Sequence, residues 1–300
     1  MSIIQTPRLR SARAEAPVAG TDDAVALDLR GVQKTYDTPG RPQVEAIRHL
    51  DFSIRRGELV CVVGPSGAGK TTLLRSIAGL LELTSGQVVL DGTVVAGPPE
   101  GMAVVFQEYG RSLFPWMTVR QNVELPLKEK GIAKAERRAK VDRALEEVGL
   151  TEASEQHPWQ LSGGMQQRVA IARAIAFQPS VLLMDEPFAA VDAQTRAELE
   201  DLVRKLWKDL GVTVLFVTHD IDEAVYLGER VIVLSNRPTV LMEDVRVNLP
   251  AERDQLTTRS DPHFGELRGH VYELIQRAKR GDRPDAPAAP PAAASSPEEA

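Results

Sequence analysis

The sequence predicts an α/β fold: a mostly parallel sheet, an antiparallel β portion beside it, and a helical subdomain inserted into the core. Three observations carry this. Short apolar runs of strand length at Leu59–Val63, Val181–Met184, Val212–Val217 and Val231–Leu234 have the composition of parallel strands buried on both faces. Helical segments separate the last three of them, as a parallel sheet requires. Residues 117–177 differ in character, being helical, polar and rich in Lys, Arg and Glu.

Taken in order, Val25, Leu27 and Leu29 alternate as a strand does, and the strand region ends at Tyr36. Phe52 and Ile54 indicate a second strand, and Leu59–Val63 a third. Leu73, Leu74, Ile77 and Leu80 then recur with helical spacing. Val88–Val95 breaks at Asp91-Gly92, a dipeptide that closes tight hairpins, so this part is antiparallel. In the inserted subdomain Val141, Leu145 and Val148 share one helix face, and Gly149 caps its end. The folded body is expected over 25–279. A leader over 1–24, with Pro7, Pro17 and Gly20, shows no sustained period. A tail over 280–300, with five prolines among alanines from Pro284 to Pro297, is too poor in apolar surface to order itself.

With 43% hydrophobic residues in 300, the chain can bury the core of one large α/β domain. The formal net charge of −6 supplies no basic field, which argues against a nucleic-acid partner. No apolar run reaches the ~18 residues of a membrane span. The leader carries Arg8, Arg10 and Arg13 but not the apolar stretch of a secretory signal. The single cysteine, Cys61, lies in an apolar run. It cannot form an internal disulfide, as suits a reducing compartment, and it reads as a packing residue.

The chemistry starts at Gly64-Pro65-Ser66-Gly67-Ala68-Gly69-Lys70-Thr71, which follows a strand and opens a helix. This is the complete pattern of a phosphate-binding P-loop. Its glycines let backbone N–H groups converge on a phosphate, and the helix N-terminus, continuing through Thr72, adds its dipole. Lys70 is placed to reach the β- and γ-phosphates and Thr71 to coordinate Mg²⁺. Downstream, the apolar run Val181–Met184 ends in Asp185 and Glu186. Acids at the carboxyl end of a parallel strand face the ligand crevice, so Asp185 is expected to hold Mg²⁺ and Glu186 to polarise the attacking water.

The segment Leu161-Ser162-Gly163-Gly164-Met165-Gln166-Gln167-Arg168 is similar to the signature of the ABC ATPase family, with Met165 where the family usually has Gln. The resemblance implies a P-loop NTPase core that binds ATP and Mg²⁺ and hydrolyses ATP. It also implies that Ser162, Gly163 and Gly164, at a helix start, meet the ATP held by a second copy of the chain. Other positions match in turn. Gln107 resembles the glutamine that contacts Mg²⁺ and the attacking water. Asp192 resembles the acid of the loop crossing the dimer interface, although the preceding Ala189-Ala190-Val191 departs from the usual Ser-Ala-Leu. His219 resembles the switch histidine at the γ-phosphate, and Tyr36 the aromatic that stacks on adenine.

The resemblance further implies a transport subunit: permease subunits in the membrane, a periplasmic or surface substrate-binding protein acting through them, and a peripheral position at the cytoplasmic face. Leu113, Phe114 and Trp116, after Gln107, are expected to anchor the permease or to form the helical subdomain's own core, the two readings being open for different residues. An ABC ATPase acting on nucleic acid usually carries two ATPase domains or a long coiled coil, and a P-loop kinase would lack Leu161–Arg168 and His219. Met165, the segment 107–116 and Thr258–Phe264 resemble the nitrate, sulfonate and taurine importers, with pyrimidine-type vitamin precursors as the alternative cargo. The stretch after Phe264 is expected to be too short for the additional regulatory β-domain of sugar-importer ATPases, which argues against a sugar as cargo.

Overall fold

The structure, a computed structural model, describes residues 24–283 apart from Thr38, Arg41 and Glu108. Except for Ala24 and 280–283, the expected leader and tail lie outside these residues.

Among the described residues ten strands form one sheet in the order β5-β4-β1-β2-β10-β9-β3-β8-β7-β6. The strands β1 (Val25–Tyr36), β2 (Val44–Arg55), β4 (Ser85–Leu90) and β5 (Thr93–Val94) pair antiparallel. On the other side β6 (Met102–Val105), β7 (Val181–Asp185), β8 (Thr213–Val217), β3 (Leu59–Val63) and β9 (Arg230–Leu234) run parallel. The remaining strand, β10 (Thr239–Arg246), joins the halves, antiparallel to β9 and parallel to β2. The hairpin at Asp91-Gly92 forms as its dipeptide predicts: φ is 47° and 81° at the two turn residues, and both angles are left-handed, the combination of a type I′ turn.

The parallel strands are buried on both faces, and their side chains separate into two cores by alternation. Leu59, Cys61 and Val63 point into one core, Val60 and Val62 into the other. The second core also takes the inner face of β1 and β2 and the helix α1 (Lys70–Ile77), through Leu73, Leu74 and Ile77. Helix α1 is shorter than its periodicity suggested. It stops at Ile77, Gly79 turns left-handed with φ 68°, and Leu80 is exposed. A side chain at Gly79 would meet the Gly97 carbonyl at 2.3 Å, so the backbone passes too closely there for another residue.

Between β6 and β7 the chain is helical: α2 (Tyr109–Ser112), α3 (Val119–Glu129), α4 (Lys134–Glu147) and α5 (Gly163–Ala176). Val141, Ala144 and Leu145 are the buried face of α4. The first core continues through α6 (Ala193–Leu210), α7 (Ile221–Leu227) and α8 (Pro262–Arg280). Strand register decides what meets where. Asp185 is paired with Val217, Val62 with Val217, and Val63 with Val233. The carboxyl ends of β9, β3, β8, β7 and β6 therefore lie side by side, and the segments leaving them face one crevice.

Candidate active site

The cradle leaves β3 at Gly64 and turns through Gly67 and Gly69, whose φ angles of 78° and 77° are left-handed. Gly67 meets nothing where a Cβ would stand, so its requirement is conformational. Gly64 is different: a Cβ there would stand 3.0 Å from the Leu234 carbonyl, so β9 leaves a side chain little room. The loop is closed by Ala68 N–H donating to Pro65 O at 3.0 Å. The Thr239 hydroxyl, fully buried, donates to Ala68 O at 2.5 Å and ties the loop to β10.

Lys70 is 6% exposed, and its ammonium donates to Gly64 O at 3.1 Å and Pro65 O at 3.4 Å. Burial pulls its pKa below the usual lysine range, with Glu186 opposing. Thr71 Oγ1 donates to Asp185 Oδ1 at 3.4 Å. Burial raises the Asp185 pKa, the Thr71 bond opposing it. This hydroxyl–carboxylate pair is a hard oxygen donor set, suited to a divalent cation that also keeps water and phosphate ligands. Among the described residues no cluster of three or more His, Cys, Asp or Glu could hold a metal without such help.

Three candidate catalytic side chains, Lys70, His219 and Gln107, converge on the carboxylate of the fourth, Glu186. Glu186 Oε1 lies 3.7 Å from the Lys70 ammonium. Its Oε2 lies 3.0 Å from His219 Nδ1 and 3.5 Å from the donating Gln107 Nε2. Glu186 has φ 43°, uncommon for a residue with a side chain, and its N–H donates to Val217 O at 2.8 Å. The strand end thus supplies Asp185 inward and turns sharply at Glu186. Gln107 bonds Glu186, and among the described residues no hydrogen bond joins it to the Thr71–Asp185 pair. Tyr36, 38% exposed, places its hydroxyl 3.2 Å from Thr72 Oγ1, bringing the end of β1 against the first turn of α1.

A cleft of about 400 Å³ is lined by Ser66–Thr72, Glu186, His219 and Arg237. Arg237 escaped the sequence reading. Its one legible sign is position, just past the apolar run Val231–Leu234, where a parallel strand delivers its next residues to the crevice.

Ser162, Gly163, Gly164 and Asp192 do not line this cleft. Ser162 caps α5, its hydroxyl accepting from Met165 N–H at 3.3 Å. Asp192 caps α6, accepting from Thr195 N–H at 3.0 Å and Thr195 Oγ1 at 2.7 Å. Hydrogen bonds from Thr195 hold its pKa low. The two helix starts abut, with Gly164 against Thr195. One chain therefore carries two separate surfaces built of helix N-termini.

A P-loop after β3, with paired acids at the end of β7 just beyond β8 in the sheet, defines a P-loop nucleotide-binding site. Known proteins agree. The family model described as ABC transporter matches residues 47–189. The nitrate import ATP-binding protein NrtD of Synechocystis sp. is 45% identical over 241 residues, 79% of this chain and 90% of that protein. The taurine import ATP-binding protein TauB of Roseobacter denitrificans is 40% identical over 252 residues, 83% of this chain and 93% of that protein. The solved ATP-binding cassette MJ0796, dimeric and bound to ADP and Pi, superposes with a TM-score of 0.65 at 35% identity, over 75% of this chain and 100% of the cassette. The chain belongs to the ABC transporter family as an ATP-binding, ATP-hydrolysing subunit.

Proposed function

We propose that this chain is the ATPase motor of an importer for a small oxyanion: nitrate, taurine or an aliphatic sulfonate. One observation carries the catalytic half of the reading: Glu186 faces the cradle lysine, the histidine and the glutamine at once. In this reading the Gly64–Thr72 loop, with its backbone amides and the start of α1, binds the polyphosphate of ATP, and Lys70 meets its terminal phosphates. Tyr36 stacks on the base. Thr71 and Asp185 would hold Mg²⁺, with Gln107, which bonds Glu186, as a further ligand. When bound, the ion neutralises charge on the phosphate oxygens. Glu186 orients a water and accepts its proton, and His219 steadies that carboxylate while contacting the terminal phosphoryl group.

Ser162, Gly163, Gly164 and Asp192 close over the nucleotide of a second copy, because their own cleft does not include them. The dimeric form of the similar MJ0796 cassette supports this arrangement. Two such subunits dock on permease subunits at the cytoplasmic face of the membrane, and a substrate-binding protein delivers cargo to the permease. No helix among the described residues is long and apolar enough to cross a membrane. The cargo reading is supported by the likeness to nitrate and taurine import subunits at 40–45% identity.

Replacing Glu186 by Gln is expected to lower ATP hydrolysis at least ~100-fold and to leave ATP affinity within about twofold. Turnover at the wild-type rate would remove Glu186 from its role. For cargo, a strain lacking the gene should fail to grow on nitrate as sole nitrogen source, or on taurine or an alkanesulfonate as sole sulfur source. Normal uptake of all three, with no paralogue able to substitute, would overturn the cargo reading and leave the ATPase intact.

A further inference from the structure

We infer that Arg237 is a second cation for the phosphates of the bound nucleotide, a role that no motif in the chain announces. The inference rests on reading the cleft as an ATP site. Of the residues lining that cleft, Lys70, Arg237 and Glu186 carry fixed charges, with His219 beside them. The Lys70 charge is already engaged: it is buried, donates to two loop carbonyls and lies 3.7 Å from Glu186. Arg237 is exposed, and among the described residues no hydrogen bond or ion pair engages its guanidinium. It is thus the cation of the cleft wall that remains free for a ligand. A guanidinium presents paired N–H donors that match phosphate oxygens.

Its position is built, not incidental. The turn between β9 and β10 is held on three sides. Ser235 Oγ accepts from Val240 N–H at 3.0 Å and donates to Asn236 O at 2.8 Å. Asn236 Nδ2 donates to Lys279 O on α8 at 3.3 Å. Two residues after Arg237, the buried Thr239 hydroxyl donates to Ala68 O inside the phosphate loop. The segment bearing Arg237 is therefore fastened to the loop it faces, and the backbone that carries the cation keeps its place relative to the cradle. A triphosphate brings more negative charge than Lys70 and one divalent cation would meet together, and a second side-chain cation at the rim supplies the difference.

The test is equilibrium binding of ATP to the full chain, comparing wild type, Lys70→Ala, Arg237→Ala and Arg237→Lys across a salt series. Arg237→Ala is expected to weaken ATP binding about three- to tenfold. Arg237→Lys should recover most of that loss, and Arg237→Ala should show a shallower salt dependence than wild type. Wild-type affinity in Arg237→Ala would overturn the assignment, as would a lysine variant no better than alanine. Unchanged affinity together with lost ATP-dependent dimerisation would place Arg237 against the partner copy, and would overturn it too. A wild-type chain that binds no ATP would instead defeat the reading of the cleft, and this inference with it; a loss in Lys70→Ala alone would spare the cleft and refute Arg237.

Discussion

Gly164 has no side chain because there is no room for one. A Cβ at that position would lie 2.4 Å from Cγ2 of Thr195. Thr195 cannot readily turn aside, since its hydroxyl donates to Asp192 at 2.7 Å and its N–H to the same carboxylate at 3.0 Å. The glycine of the signature is thus also a packing residue, the point at which the starts of α5 and α6 touch. Gly164→Ala should lower unfolding stability by about 1–3 kcal/mol in a denaturant titration. Thr195→Ser removes the obstructing methyl and keeps the hydroxyl, so the double variant should recover about 1 kcal/mol relative to additivity. Strict additivity would show that the contact costs nothing.

At the scale of the element, α7 shows how a short helix is held in place. It has seven residues, too few to be stable alone, and it begins just after His219. Asp220 caps its start and pairs with Arg196 of α6 at 3.2 Å. At its end Arg253 donates to Val225 O and Tyr226 O at 2.8 Å and to Gly228 O at 3.2 Å, while Arg204 donates to Leu227 O at 2.6 Å. On its inner side Glu223 is buried, and its pKa is pushed up to about 8, chiefly by burial and further by Glu200 and Asp220, with Thr218 and Arg196 opposing. The folded chain therefore keeps a proton at Glu223 that the unfolded chain releases above its ordinary value of 4.5. Between these two values the folded state binds more protons, so this group's contribution to stability falls as pH rises. Glu223→Gln, which stays neutral, should leave the melting temperature near pH 4.5 unchanged and raise it by on the order of 5 °C at pH 8. A gain independent of pH would mean that Glu223 is not protonated in the fold.

At the scale of the molecule, the outward surfaces carry the proposed partners. Of the three residues read as anchors or core, Leu113 is 3% exposed and belongs to the first core. Apolar packing takes it inward, beside Val119 and Val123. Trp116 is 70% exposed, with Phe114 tilted against it at 5.4 Å. Asn122, fully buried, fixes their loop: its amide donates to the carbonyls of Phe114, Met117 and Thr118, and its oxygen accepts from Phe114 N–H. A rigid loop presenting an exposed tryptophan is what an anchor residue needs. Trp116→Asp is expected to abolish co-purification with the permease while leaving the ATPase activity of the isolated subunit unchanged. Complex formation at the wild-type level would move the docking surface elsewhere.

What the sequence determined by itself was local. The phosphate loop, the strand ending in Asp185-Glu186, the Ser162 cap and the Asp91-Gly92 turn each depend on a few adjacent residues and on backbone angles those residues favour. The spacing of apolar runs likewise announced the parallel strands. The tertiary structure decided what these segments do together. His219, Gln107 and Lys70 are far apart in the chain, and only the strand order and the register of β3, β6, β7 and β8 bring them to one carboxylate. The left-handed backbone at Glu186, the engaged charge of Lys70 and the free one of Arg237 left no mark in composition or period, because each results from neighbours distant in sequence. The same holds for Leu113 and Trp116: two apolar residues three positions apart look alike in a chain, and only packing sends one into the core and leaves the other on the surface.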